Sequence, residues 1–171
     1  MISIVVATDK NLVIGNENKI PWRLKSDLVR LRNLTKGHTV ILGRKTYDSM
    51  AWYYDKSGRE MPGSMYLVVT HNPDYKPSRA NAKVVLSIDE ALAAAKELGD
   101  EDAYVIGGRA IFEEMMPFTN RIYWTKVDTE AEGDAFFPEI NMNDWRQVSS
   151  EHFAKDEKND FDYDLVILER P

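Results

Sequence analysis

The 171-residue chain contains no cysteine. Disulfides, thiolate zinc sites, iron–sulfur clusters and a cysteine nucleophile are therefore excluded. Histidine is scarce as well. His38, His71 and His152 are the only imidazoles, and no two stand at ligand spacing, so no metal site is expected. Apolar runs such as Ile4–Ala7 and Ala91–Ala95 fall far short of the roughly 20 residues a membrane-spanning helix needs. No basic stretch precedes the apolar residues of MISIVVATDK, so no signal peptide is expected. These absences predict a soluble, cytoplasmic protein with no membrane partner. The length predicts one domain over residues 1–171, taken as a monomer, at about 100–200 residues per domain.

Charge is present but uneven. The chain has 22 Lys+Arg against 28 Asp+Glu, a net −6. Residues 1–127 carry +3, whereas residues 128–164 carry −9. An acidic C-terminal third argues against nucleic acid as a partner, since such a surface shows clustered basic residues. The mildly cationic first part suits one small anionic ligand. The acidic stretch 155–164 reads as a solvated face.

Strand-like and helix-like runs alternate. Ile2–Thr8 is apolar and β-branched, as a buried strand requires. Residues 9–23 read as a long loop, and fifteen irregular residues between a strand and its helix suggest a lid. Lys25–Thr35 has helical spacing, with Leu24, Leu28, Leu31 and Leu34 on one side and Ser26 as a possible cap. TVILG (39–43) is a second buried strand, followed by a short helix over Arg44–Met50 and a loop over 51–63. Strands follow at Met65–Thr70, Lys83–Leu86, Ala103–Ile106 and Arg121–Val127. Ser87 and Glu90 form a capping box for a helix that Gly99 ends, and a further helix runs from Arg109 to Met116. The last two strands, near Trp145–Phe153 and Asp162–Glu169, are joined by a charged turn that predicts antiparallel pairing. The pattern predicts an α/β fold: a mostly parallel central sheet with helices on both faces and a C-terminal antiparallel hairpin. Open sheets of this kind bind ligands at the carboxyl ends of their strands.

Four features carry chemistry. Asp27 lies three residues after Leu24 and four before Leu31, so its carboxylate projects near the apolar side of its helix. A first-turn acid serving the helix dipole explains it equally well. Gly43-Arg44-Lys45-Thr46 takes a buried strand through glycine into a helix, where free N–H groups suit phosphate. Arginine there opposes the dipole, so a bound polyanion is the better explanation. Ile106-Gly107-Gly108 repeats the strand–glycine–helix arrangement, although tight turns use glycine anyway. Two such turns suit a ligand with phosphates at two points, such as a dinucleotide. The G-x-G-x-x-G fingerprint is absent after the first strand, so the usual Rossmann domain is excluded. In the loop, Pro21-Trp22 returns the chain towards Asp27, although a lone Trp is more often core.

Together these segments resemble the dihydrofolate reductase family over nearly the whole chain. The resemblance rests on VIG-x-x-x-x-IPW followed by Asp27, then VILGRKTYDSM, YVIGG and EGDAFFP, in the expected order. It implies NADPH as cofactor and hydride transfer to C6 of the pterin of 7,8-dihydrofolate, with a proton arriving at N5. It implies that Asp27 binds the pterin amino and ring N–H groups, that Thr125 supports that carboxylate, and that Trp22 helps hold a water. Val5, Ala7, Leu28, Leu31, Met50 and Ile106 are the implied substrate-pocket wall. Residues 9–24 are the implied lid, with Asp134 as lid partner. Arg44, Thr70 and His71 match positions around the adenosine 2′-phosphate. Thr46, Gly107 and Gly108 match pyrophosphate contacts. Ala7, Ile14, Gly15, Gly43, Lys45, Arg109, Ala110 and Ile111 complete the implied cofactor site.

The chain departs from the family pattern at three places. Ser64 follows Pro62-Gly63 where the family commonly has the arginine that grips the glutamyl carboxylate of folate, after a lengthened segment, Ala51–Met61. Arg59, and less so Lys56, are the candidates to replace it, against the alternative that both simply solvate a loop. Ala110 stands where some members have another phosphate-binding arginine, and Phe112 where a tyrosine is frequent. Two other functions stay open at this stage: a related pterin or pyrimidine reductase that ignores the tail, and a non-catalytic nucleotide-binding module.

Overall fold

The computed structural model describes all of residues 1–171. Its centre is β1 (Ile2–Thr8), which pairs in parallel with β6 (Ala103–Val105) on one side and β7 (Arg121–Val127) on the other. A strand flanked on both edges and covered on both faces is mostly apolar, and ISIVVAT departs from this only at buried Ser3 and Thr8. The chain returns through α1 (Lys25–Thr35) to β3 (Thr39–Gly43), whose first four residues are all buried. It continues through α2 (Arg44–Ser57) to β4 (Met65–Val69), then β5 (Ala82–Val85) and α3 (Ile88–Leu98), before β6 and α4 (Arg109–Met115). The hairpin of β9 (Arg146–Phe153) and β10 (Tyr163–Glu169) adds antiparallel strands beyond β7. The sheet order is β5-β4-β3-β6-β1-β7-β10-β9. In that order the strands from β5 through β7 run parallel, β10 alone runs the opposite way, and β9 returns to the common direction.

Local chemistry explains the helix that faces away from the site. The Ser87 hydroxyl accepts from the Glu90 N–H at 3.1 Å, the Glu90 carboxylate reaches back to the Leu86 N–H at 2.7 Å, and Gly99 ends α3 in the left-handed conformation. Ile88, Ala91, Ala94 and Ala95 form its buried stripe. They join Ile4, Ile41, Leu67 and Val105 of the sheet in the larger core.

The structure corrects several sequence expectations. The helix expected over Arg44–Met50 runs to Ser57, and most of the expected 51–63 loop is helical. Tyr47, Ala51 and Tyr54 stand at i, i+4 and i+7 and continue one buried face, and Gly58 at φ 70° is the true stop. The loop 9–23 is not wholly irregular, because Val13–Gly15 forms β2 and pairs with β8 (Ala135–Phe136). Ser26 does not cap α1. The cap comes from outside, where buried Asn159 accepts the Ser26 N–H at 3.1 Å and donates to the Ser26 hydroxyl at 3.0 Å. The stretch 155–164 is therefore more than a solvated face. Its Asp156 carboxylate also holds Asn159 in place, at 3.0 Å from the amide. Smaller differences lie at element ends: β6 stops at Val105, and α4 stops at Met115, where a 3-10 turn begins.

Candidate active site

The carboxyl ends of β1, β3, β6 and β7 open onto one side of the sheet, and α1 lies beside the β1–β7 pair. Asp27, in the first turn of α1, accepts a hydrogen bond from the Thr125 hydroxyl of β7 at 2.6 Å. The Arg30 guanidinium, one turn on, reaches the same oxygen, Oδ1, at 3.4 Å and Thr125 Oγ1 at 3.5 Å. Burial pushes the Asp27 carboxyl above its ordinary value of 3.8, while the Thr125 hydrogen bond and the Arg30 charge pull it back. A mostly desolvated carboxylate with protein partners on one oxygen only is suited to a ligand that presents paired N–H groups to the other.

The surrounding wall follows from strand periodicity. Ala7 is in register with Thr125, and Val5, two residues earlier, shares its face of β1. Leu31 is half-buried, and Leu28 is 48% exposed, so the leucines of α1 border open space more than they fill the core. Met50 and Ile106 each pack against the cluster that includes Val40, Leu42, Tyr47, Tyr54 and Tyr66. Trp22 packs with Leu24, Val127 and Tyr163 rather than bonding Asp27 directly.

The segment 9–24 is tied down at its base and middle. Buried Asp9 accepts from the N–H groups of Asn11, Val13 and Ala131, each at 2.8 Å. Asp134 accepts from the Glu17 N–H at 3.0 Å, and its own N–H donates to the Gly15 carbonyl at 3.1 Å. Ile14 packs against the larger core and Gly15 pairs with Ala135. Asp9 was not identified from the sequence; its signal is an acid placed just ahead of a turn, where carboxylates bind backbone N–H groups.

On the far side of the crevice, the two glycine turns touch. The Gly43 N–H donates to the Gly107 carbonyl at 2.8 Å. A Cβ on Gly43 would come within 3.3 Å of Ile111 Cγ1 and 3.8 Å of Gly107 O and Gly108 N. One on Gly108 would meet Thr46 Oγ1 at 3.7 Å. Neither α2 nor α4 has a side-chain cap, so no side chain occupies the donors at the start of α2. Exposed Arg44, Lys45 and Arg109 surround this cradle, with Ala110 beside it. The residues present fit a pyrophosphate.

Arg44 follows Gly43, and Thr70 follows Val69, its register partner on β4, so the two stand side by side at adjacent strand ends with exposed His71 next. The Arg44 guanidinium lies 3.4 Å from Asp48 and 5.9 Å from the Tyr75 ring centre. Arg59 follows the end of α2 and is exposed. Its charge and that of Arg32 both act on the Tyr54 phenol, which burial pushes above its ordinary value. Ser64 instead donates its N–H to the His38 carbonyl and stays exposed. Phe112 is buried, with its ring against Gly107 and 5.2 Å from that of Phe137.

A mostly parallel α/β sheet with a glycine cradle and a desolvated acid at its carboxyl edge suits an enzyme that takes a nucleotide and a polar ligand. A family model for dihydrofolate reductase matches residues 1–170. The dihydrofolate reductase of Bacillus subtilis is 39% identical over 170 residues, covering 99% of this chain and 95% of its own. Dihydrofolate reductase type 3 of Salmonella typhimurium is 33% identical, covering 99% and 98%. A solved dihydrofolate reductase from Enterococcus faecalis, complexed with NADP(H), superposes with a TM-score of 0.85 at 34% identity, covering 99% of this chain and 96% of that one. The chain belongs to the dihydrofolate reductase family.

Proposed function

We propose that the chain reduces 7,8-dihydrofolate to 5,6,7,8-tetrahydrofolate, consuming NADPH and one proton and releasing NADP⁺. Family membership supports the reaction, and one observation carries its assignment to this crevice: the Asp27 carboxylate, largely desolvated, is held by Thr125 of β7, whose carboxyl end lies at the same edge of the parallel sheet as the Gly43–Gly107–Gly108 cradle that follows β3 and β6.

NADPH supplies the hydride. Gly43, Thr46, Gly107 and Gly108 would hold the pyrophosphate, and Lys45, Arg109, Ala110 and Ile111 would complete that wall. Arg44, Thr70 and His71 take the 2′-phosphate, where a charged planar donor discriminates against a cofactor lacking it. Ala7, Ile14 and Gly15 would complete the cofactor site on the side of β1 and the 9–24 segment. Asp27 accepts the amino and ring N–H groups of the pterin, which fixes the ring's orientation and favours its protonated form by charge. Thr125 holds the carboxylate, and Trp22 helps position the water from which N5 takes its proton. Val5, Leu28, Leu31, Met50 and Ile106 exclude bulk water from the ring faces.

The tail needs a cation that Ser64 does not supply, since a desolvated carboxylate without a partner is costly. Arg59 takes this role; its charge and that of Arg32 both act on the Tyr54 phenol. A single chain supplies every residue named, so the working unit is a monomer, and its place is the cytoplasm, where reduced nicotinamide is generated. The test is loss of the reduced-nicotinamide absorbance with dihydrofolate and with an unsubstituted dihydropterin. Turnover of both with a lower Michaelis constant for dihydrofolate supports the reading, and no turnover of either overturns it.

A further inference from the structure

Arg30 is the one charged side chain at the pterin crevice to which the proposed reaction assigns no role. It is half-buried at 25% side-chain exposure, against 22% for Asp27. Long cationic side chains on a helix ordinarily turn their heads to solvent. Here the guanidinium turns inward, with Nη2 at 3.4 Å from Asp27 Oδ1 and Nη1 at 3.5 Å from Thr125 Oγ1. Burial lowers the guanidinium's own affinity for its proton, and Asp27, Tyr163 and Glu151 act against that loss. An arginine at this depth remains cationic.

We infer that Arg30 is a positioning residue for the reduction: its guanidinium, bridging Asp27 and Thr125, fixes the Asp27 carboxylate in its ionised form and so sets the acidic edge of the pH range in which the enzyme works. The inference rests on Asp27 being the pterin anchor.

The charged and titratable surroundings can be named from each packed element. On α1, Asp27 and Arg30 face each other across one turn. On β7, Thr125 contributes a hydroxyl and no charge. On β10, Tyr163 is buried, and on β9, Glu151 is exposed; both act on the guanidinium through charge. Arg30 is the only cation of this group, so the cost of desolvating the carboxylate falls on it and on the Thr125 hydroxyl. An i,i+3 pair on a solvated helix would contribute little. This pair is screened less because both partners are largely withdrawn from water.

A second consequence concerns the ligand. The Arg30 charge stabilises the carboxylate but repels a cation bound to it. It therefore opposes protonation of the bound pterin while extending carboxylate binding to lower pH. Removing the charge shifts both limbs of the pH profile to higher pH, a signature that loss of packing does not produce.

The test compares wild type, Arg30→Met, Arg30→Gln and Arg30→Lys. The Asp27 carboxyl is titrated by carbon-13 NMR in the substrate-free enzyme, with Asp27→Asn to assign the signal, and kcat/KM for dihydrofolate is measured across pH. Arg30→Met and Arg30→Gln should titrate Asp27 roughly one to three pH units higher. The acid limb of kcat/KM should move with it, and Arg30→Lys should restore most of the difference. An Asp27 titration unmoved in whichever neutral variant folds overturns the inference, as does Arg30→Lys behaving like the neutral variants. If wild type fails to reduce dihydrofolate, the proposed function falls, while the NMR titration still decides whether Arg30 controls Asp27.

Discussion

The Thr125 hydroxyl of β7 donates to Asp27 Oδ1 of α1 across 2.6 Å, joining the centre of the sheet to the first turn of the helix that borders the crevice. This bond both orients the carboxylate and favours its charged form, against the burial that raises its affinity for a proton. Thr125→Val removes the bond and keeps the shape. A hydrogen bond to a charged group is worth about 1.5–3 kcal/mol. The variant should lose roughly tenfold to a hundredfold in kcat/KM at neutral pH, and its acid limb should move to higher pH because the carboxyl loses a partner of its anion. A pH series of kcat/KM checks both.

Asn159 fastens the same helix from the other end of the chain. Its side chain accepts the Ser26 N–H and donates to the Ser26 and Asp156 oxygens, and the neighbouring Lys158 carbonyl accepts the Lys25 N–H at 3.1 Å. Asn159→Ala should cost about 0.5–2 kcal/mol in urea unfolding, as lost caps do. It should also lower kcat/KM, because Asp27 lies one turn from the cap. Unchanged unfolding would remove Asn159 from this role.

These two contacts illustrate what the sequence carried and what it did not. The bounds of β1 and α1 are legible because each is set by its own pattern: a β-branched apolar run in one, leucines at helical spacing in the other. Asp27 is legible because an acid on the apolar side of a helix is a local anomaly. The extension of α2 is also local, since Tyr47, Ala51 and Tyr54 keep helical spacing; Gly58, Pro62 and Gly63 mark a loop that begins about two turns after Met50. Asn159 and the β2–β8 pair were not legible. Each depends on a partner more than a hundred residues away, and a three-residue strand has no periodicity to read. Arg30 lies in between, because its spacing from Asp27 is visible but its inward turn depends on the depth of the crevice.

Arg44 should set the preference for NADPH. With Thr70 and His71 nearby to limit the loss, Arg44→Ala should weaken NADPH binding about tenfold to a hundredfold and NADH binding much less. Dissociation constants from quenching of protein fluorescence measure both. Equal weakening of the two cofactors assigns Arg44 to the shared phosphates or to its pair with Asp48.

Arg59→Ala should raise the Michaelis constant for dihydrofolate up to about fivefold, the worth of one exposed ion pair, and leave that for an unsubstituted dihydropterin unchanged. Ser64→Arg should lower the dihydrofolate constant if the pocket keeps the family's shape. Equal constants for wild type and Arg59→Ala on dihydrofolate would remove Arg59 from tail recognition.

The central claim is that Asp27 is the carboxylate that binds and polarises the pterin, and dihydrofolate-dependent NADPH oxidation by Asp27→Asn across pH tests it most directly. The substitution preserves size and removes charge. Turnover at neutral pH should fall roughly a hundredfold or more, then recover in part as acid protonates the substrate in solution and supplies the charge the enzyme no longer induces. Near-wild-type turnover by Asp27→Asn at neutral pH would contradict the account.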